Sequence, residues 1–182
     1  MLGPRLEGRI IVLRPVREGE AEVIVGWLED PEVTRHLGIL LPPSVAGERE
    51  WLAARAQDEH HVFWGIEHEG RLVGVTSIFE IDWVNRRGTS GTTIGERAVW
   101  GRGIGTETMQ LRARFAFEML NLNKLNSGYY EGNEASAEAQ RRTGYREVGR
   151  RRQEQFRHGR WRDMVLTELL REDWERTAPG HK

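Results

Sequence analysis

The sequence predicts an α/β (α+β) fold: a mixed, mostly antiparallel sheet flanked by helices. Three observations carry the prediction. Strand-like and helix-like stretches follow in the order β-α-α-β-β-β-α-β-α-β-β, which suits one sheet with helices on both faces. Glu69-Gly70 and His158-Gly159 each separate two β-prone runs and read as hairpin turns. Between them, Thr92–Asn121 begins β-prone, passes three alternate glycines (Gly101, Gly103, Gly105) and becomes a long helix.

Arg9–Val16 is β-branched and closed by Pro15, a first strand. Glu18–Leu28 carries Val23, Val25, Trp27 and Leu28 among acidic residues and reads as a helix ending before Asp30-Pro31. Pro31–Pro43 is irregular. Ser44 is an N-cap for a helix over Val45–Gln57 with Trp51, Leu52 and Ala56 on one side. Val62–Glu67 and Leu72–Ile81 pair as a hairpin. Asp82–Gly91 reads as a polar turn, after which Thr92–Val99 returns as a strand, and a reversal near Arg87 sets Glu80 opposite Ile94.

In the long helix, Gln110, Arg114, Glu118 and Asn121 make one polar stripe. Met109, Ala113, Ala116 and Leu120 form one apolar row, and Leu111, Phe115 and Met119 a second. Such a helix packs against a sheet. Leu125–Tyr130 follows as a strand and Ala135–Arg142 as a helix. Tyr145–Phe156 and Trp161–Leu170 form the final hairpin.

The 182 residues fit one domain over positions 1–176, with a frayed tail over Thr177–Lys182. A formal charge of −1 argues against a dedicated nucleic-acid binder. The chain has no cysteine, which excludes disulfides, zinc–thiolate sites and thiol catalysis and fits a cytoplasmic protein. MLGPRLEGR lacks the apolar core of a signal peptide, and no apolar run approaches the roughly 20 residues that span a bilayer. No membrane partner is expected. His60 and His61 have no partners at metal-ligand spacing, so no metal is expected either.

Glycines at a strand-to-helix turn let backbone N–H groups approach an anion, and the helix N-terminus adds partial positive charge there. The pattern is not GxGxxG and no Lys-Ser/Thr follows, so neither a dinucleotide fingerprint nor a nucleoside-triphosphate loop fits. Phosphate binding and a plain tight turn both remain.

Trp100–Gly105 (WGRGIG) resembles the Q/R-x-x-G-x-G/A coenzyme A loop of the GNAT superfamily of N-acetyltransferases, with Trp100 in place of Gln/Arg. Asn133-x-x-Ser136 followed by Gly144-Tyr145 resembles that family's second motif. Gly159-x-x-x-Asp163 and Leu169–Trp174 (LLREDW) are similar to the RimJ/RimL-like branch. The resemblance runs from about Arg9 to Trp174. It implies the GNAT acyl-CoA N-acyltransferase fold, in which two central strands splay apart and the pantetheine arm of acetyl-CoA lies in the gap.

The resemblance further implies an acetyl-CoA-dependent N-acetyltransferase, with the amine attacking the thioester directly. Arg102, Gly103, Ile104, Gly105 and Thr106 would hold the pyrophosphate, Ile94, Gly95 and Glu96 the pantetheine amides, Asn133 the coenzyme near its pantetheine arm, and Ser136 the coenzyme at its thiol. Many members have a tyrosine seven residues after the Asn as acid toward the leaving thiolate. Here that residue is Gln140, so Ser136 is the candidate acid, against a plain helix-capping role. Arg141 and Arg142 are candidates for the 3′-phosphate.

Direct transfer needs a neutral amine. An alkyl amine with pKa near ~10.4 pays roughly 4–5 kcal/mol at pH 7 and an α-amine near ~8 about 1.4 kcal/mol, so a base is useful. Glu80, Glu96 and Glu154 are candidates, with Glu80 leading. Trp27, His36, Trp51, Trp83 and Trp161 are aromatic candidates for an acceptor pocket. The acceptor is left open among peptide N-termini, polyamines, amino sugars and aminoglycoside-like amines, and a homodimer is compatible. Two other classes stand beside the enzyme: an acyl-CoA-binding sensor or interaction module of the same fold, and an unrelated nucleotide-binding α/β domain.

Overall fold

A computed structural model describes residues 1–177; the predicted tail, apart from its first residue, lies outside the described residues. The chain starts with two short strands, β1 (Leu6–Glu7) and β2 (Val12–Arg14), rather than one over Arg9–Val16. The cause is local: Gly8 N–H donates to the Ile11 carbonyl at 2.9 Å and closes a turn inside the predicted strand.

A 3₁₀ turn over Glu18–Glu20 leads into α1 (Ala21–Leu28). The stretch read as irregular begins with a short helix, α2 (Pro31–Thr34), because Asp30 accepts from Glu32 N–H at 2.8 Å and Pro31 fits the first helical position. Helix α3 (Val45–Gln57) has the predicted bounds, with Ser44 Oγ accepting from Gly47 N–H at 3.1 Å. Strands β3 (Val62–His68) and β4 (Arg71–Asp82) form the first hairpin.

The next strand corrects the reading. Strand β5 spans Arg87–Ile94, because the turn before it is short: Asp82 accepts from both the backbone N–H and Nδ2 of Asn85, at 2.9 and 2.7 Å. Arg97–Val99 is a 3₁₀ turn and not strand. Ile94 therefore stands opposite Gly74, and Glu80 lies beside Thr89 instead of Ile94.

Helix α4 (Ile104–Arg114) runs on into a π-helical turn, Phe115–Met119. Gln110, Arg114, Glu118 and Asn121 are exposed and Met109, Ala113 and Ala116 buried, as the two faces require. Met119 is 71% exposed while Phe117 is fully buried, because the wider turn over Phe115–Met119 brings Phe117 onto the core and carries Met119 off it. Strand β6 (Lys124–Tyr130), α5 (Glu134–Thr143), β7 (Arg146–Arg157), β8 (Arg160–Leu170) and α6 (Arg171–Thr177) complete the chain.

The strands form one sheet in the order β1-β2-β3-β4-β5-β6-β8-β7, antiparallel everywhere except between β5 and β6. On one face, α4 and the π turn bury Leu111, Ala113 and Phe117 with Trp64, Ile78, Leu125 and Leu169 of the strands. On the other, α1 and α3 pack Ile24, Leu28 and Leu52 near Phe63. Each such aliphatic or aromatic side chain contributes roughly 1.5–3 kcal/mol by leaving water. Arg14, almost fully buried, bridges Glu20 and Glu67 at 2.6 Å each and ties the entry of α1 to β2 and β3. Among the described residues no helix is long and apolar enough to cross a membrane.

Candidate active site

The parallel pairing of β5 with β6 covers only Arg87, Gly88 and Thr89 against Lys124, Leu125 and Asn126. Beyond it β5 runs on to Ile94 beside β4, and β6 to Tyr130 beside β8, so the two strands part in the middle of the sheet. Two serines fasten the point of divergence: Ser90 Oγ donates to the Asn126 carbonyl and Ser127 Oγ to the Ser90 carbonyl, both at 3.1 Å. The Ser90 carbonyl thus faces β6, and by strand alternation the backbone of Thr92 and the N–H of Ile94 face the widening gap. Gly95 and Glu96 do not: both N–H groups donate to the Val73 carbonyl at 3.0 Å, on the β4 side. Of the three residues predicted to meet pantetheine through the backbone, Ile94 alone turns its N–H to the gap side.

Beneath the divergence lies a residue that the sequence reading passed over. Arg112 of α4 is fully buried and donates to Thr92 Oγ1 at 2.6 Å, Thr76 Oγ1 at 2.7 Å, the Gly91 carbonyl at 2.8 Å and Ser90 Oγ at 3.1 Å. It locks the diverging end of β5 to α4. Ser90 Oγ also lies 3.0 Å from the Tyr145 hydroxyl, so the tyrosine of the second motif reaches the same knot. Arginine by type reads as surface, and only the side chains of β4 and β5 reveal its role.

The glycine loop meets the open end of the gap. Trp100 donates its indole N–H to the Ile94 carbonyl at 2.9 Å and latches the loop to the strand end. Gly103 is the N-cap of α4 with φ +83°, left-handed backbone that glycine adopts without strain. The first intrahelical bond runs from Glu107 N–H to the Gly103 carbonyl at 3.1 Å, so the N–H groups of Ile104, Gly105 and Thr106 precede it. A Cβ added at Gly101, Gly103 or Gly105 would meet nothing within 4 Å. Open space in front of unbonded amides fits a pyrophosphate. The Ile104 side chain is buried, so only its backbone can serve; Arg102 is exposed.

Asn133 is the N-cap of α5, its Oδ1 accepting from Ser136 N–H at 3.1 Å. The capping role considered for Ser136 thus belongs to Asn133, whose NH₂ is the end left for a coenzyme. Gln140 explains where the Ser136 hydroxyl points. Its Nε2 donates to Ser136 Oγ at 3.2 Å and to the Gly128 carbonyl at 3.4 Å, while its Oε1 accepts from Thr167 Oγ1 at 2.5 Å. A carbonyl can only accept, which fixes the amide's orientation; Ser136 Oγ therefore accepts a hydrogen bond from Gln140 and keeps its own O–H to donate elsewhere.

The three carboxylate candidates separate. Glu154 is exposed and pairs with Arg151 at 3.2 Å. Glu96 caps the 3₁₀ turn, accepting from Ala98 N–H at 3.2 Å. Glu80 accepts from Thr89 Oγ1 at 3.0 Å, and Thr89 is the last β5 residue paired to β6, so Glu80 is level with the start of the gap. Arg141 and Arg142 both pair with Glu138, at 2.8 and 2.6 Å.

Of the aromatic candidates, Trp27 packs where a Cβ on Gly95 would fall 2.0 Å from its ring. His36 lies 3.3 Å from Arg162, and burial together with the Arg162 and Arg35 charges lowers its pKa. Trp51, 40% exposed, lines a pocket with Glu80; Trp83 and Trp161 are exposed and are not part of its lining. Among the described residues no group of three or more His, Cys, Asp or Glu is arranged to hold a metal ion.

A mixed sheet that opens at one parallel pair, with a glycine-capped helix aimed at the opening, defines an acyl-CoA transferase scaffold. Residues 11–146 match the family described as Acetyltransferase (GNAT) domain, and the chain belongs to that family: it is an N-acetyltransferase of the GNAT type. It is 33% identical over 111 residues to the Putative ribosomal N-acetyltransferase YdaF of Bacillus subtilis (strain 168), a match covering 61% of this chain and 60% of that protein. Against YokL, an SPbeta prophage-derived uncharacterized N-acetyltransferase of the same strain, identity is 27% over 170 residues, 92% of this chain and 94% of that one. Among solved structures, a spermidine N-acetyltransferase from Vibrio cholerae in complex with CoA and spermine shares the fold, with TM-score 0.84 at 19% identity over 90% of this chain and 97% of that one.

Proposed function

We propose that this protein binds acetyl-CoA with its pyrophosphate on the amides of Ile104–Thr106 and its pantetheine arm between β5 and β6, and transfers the acetyl group directly to a primary amine. The observation that carries the reading is the empty space in front of Gly101, Gly103 and Gly105, at the mouth of a gap that begins after Thr89. The amine nitrogen attacks the thioester carbonyl, the C–S bond breaks, and sulfur leaves with the bonding pair. Glu80, directly or through water, takes the proton that the amine loses. Ser136 donates its hydroxyl hydrogen bond to the departing thiolate, which is finally protonated from solvent.

Peptide N-termini, polyamines and amino sugars all satisfy this chemistry; YdaF is named a putative ribosomal N-acetyltransferase and the Vibrio cholerae enzyme a spermidine N-acetyltransferase. The sensor reading draws on one observation: Gln140, at the position where the family resemblance implies a tyrosine acid, is 2% exposed and engaged by its neighbours. Calorimetric titration with acetyl-CoA, followed by thiol release in the presence of amines, separates the two. Binding with release is expected; binding without release from any acceptor class would establish the sensor.

A further inference from the structure

Strand β4 breaks register between Phe79 and Asp82, and Glu80 within the break has φ +52°, a strained value for a residue with a side chain. In an unbroken strand Phe79 and Glu80 would face opposite sides of the sheet. Here both line one open pocket of about 500 Å³, together with Trp51, Arg55, Asp58, His61 and Ser77. The cavity lies on the face opposite α4. Thr76 and Ile78, the alternate residues of β4, turn toward Arg112 and the α4 core, so Ser77 and Phe79 point the other way. Glu80, itself exposed, is fastened to Thr89 where the gap between β5 and β6 begins.

The walls are aromatic. The Trp51 ring stands edge-on to His61, centroids 6.1 Å apart at 84°, and His61 lies 5.9 Å from Phe79. His61 is 6% exposed, and burial with the nearby Arg55 charge holds its imidazole down to about 4, so the wall is neutral at pH 7. The Arg55 end is different. Arg55 sits 5.5 Å over the Trp51 ring and 2.8 Å from Asp58, whose other oxygen accepts from His60 N–H at 2.9 Å. Asp58 is thus already engaged, and a second cation on the acceptor would find no free carboxylate at this end.

We infer that this cavity is the acceptor site and that it selects a primary amine carried on an aromatic body with no second cationic group. The inference rests on the coenzyme placement proposed above. The amine would sit at Glu80, beside the start of the gap, with its ring against Trp51, His61 and Phe79.

The test compares phenethylamine, hexylamine and spermidine as acceptors, by thiol release from acetyl-CoA, in the wild type, Phe79→Ala and Trp51→Ala. Calorimetric titration of phenethylamine into the CoA-saturated protein runs alongside. Phenethylamine should exceed the other two at least tenfold in kcat/KM, and each variant should erase most of that advantage, lowering phenethylamine at least fivefold more than hexylamine. Equal kcat/KM for the three amines, or spermidine as the best, would overturn the selectivity. So would a variant that weakens all acceptors alike. Saturable phenethylamine binding that needs Phe79, without thiol release, would keep the pocket and reject acetyl transfer. Neither binding nor turnover at millimolar phenethylamine would reject the pocket.

Discussion

Gly105→Val separates the coenzyme role of the glycine loop from its structural role. Gly105 lies in the first turn of α4, its φ is not in the left-handed region, and a Cβ there meets nothing within 4 Å. Valine in a helix is a few tenths of a kcal/mol better than glycine, so folding stability should be unchanged or slightly higher. Gly103 is the contrasting case: at φ +83° a side chain costs about 1–2 kcal/mol whatever the space around it. For a chain of this size each kcal/mol moves Tm by roughly 2–4 °C. Gly103→Val should therefore lower Tm by a few degrees, and Gly105→Val should hold it within about 2 °C. Both valines project into the space that the pyrophosphate needs, and both should weaken acetyl-CoA binding at least tenfold, about 1.4 kcal/mol. The assays are thermal melts and calorimetric titration on the same samples. Gly105→Val that is fully folded and binds acetyl-CoA with wild-type affinity would refute the placement of the coenzyme on this loop.

Four further outcomes are expected. Ser136→Ala should lower kcat roughly tenfold or more with acetyl-CoA affinity within about twofold, because Asn133 and not Ser136 caps α5; lost Tm with normal kcat would return Ser136 to a structural role. Glu80→Gln should depress kcat/KM near neutral pH most for amines with pKa near ~10, and the deficit should shrink as pH rises; a deficit independent of pH and of the amine would make Glu80 a positioning group. His61 titrates at about 4 in the folded chain, below its ordinary ~6.5, so the unfolded chain takes up the proton first as pH falls. Its contribution to stability is complete above ~6.5 and is lost between that value and about 4, and Tm against pH in His61→Phe should be flatter across this window. Glu20→Ala leaves buried Arg14 with Glu67 alone and should cost about 3–5 kcal/mol, read by urea unfolding; a loss under 1 kcal/mol would show that the bridge contributes little.

The hairpins, the amphipathic long helix and the two motifs were legible because each is written in local spacing. Glu69-Gly70 and His158-Gly159 set their turns with positive φ at all four residues, and Ser44 and Asn133 cap the helices that follow them. Strand β5 was read five residues late because Arg87–Gly91 holds two glycines and no large apolar residue. Its partners, Ile78 and Phe79 on β4 and Leu125 on β6, supply what its own sequence lacks. The signal for the tight turn was present in Asp82 and Asn85, three residues apart. The π turn at Phe115 has no comparable mark, and it sends Met119 to the surface. Arg112 and the Phe79–Glu80 register break were out of reach, since both depend on which strands stand next to β4 and β5.

The most direct test of the central claim is the initial-rate pattern of acetyl transfer, with acetyl-CoA and an accepted amine both varied and thiol and acetylated amine counted together. Attack on the thioester within a complex of both substrates predicts intersecting double-reciprocal lines, one thiol freed per amide formed, and no burst of CoA without amine. Parallel lines with an amine-independent burst would reveal a covalent acetyl-enzyme and contradict the account.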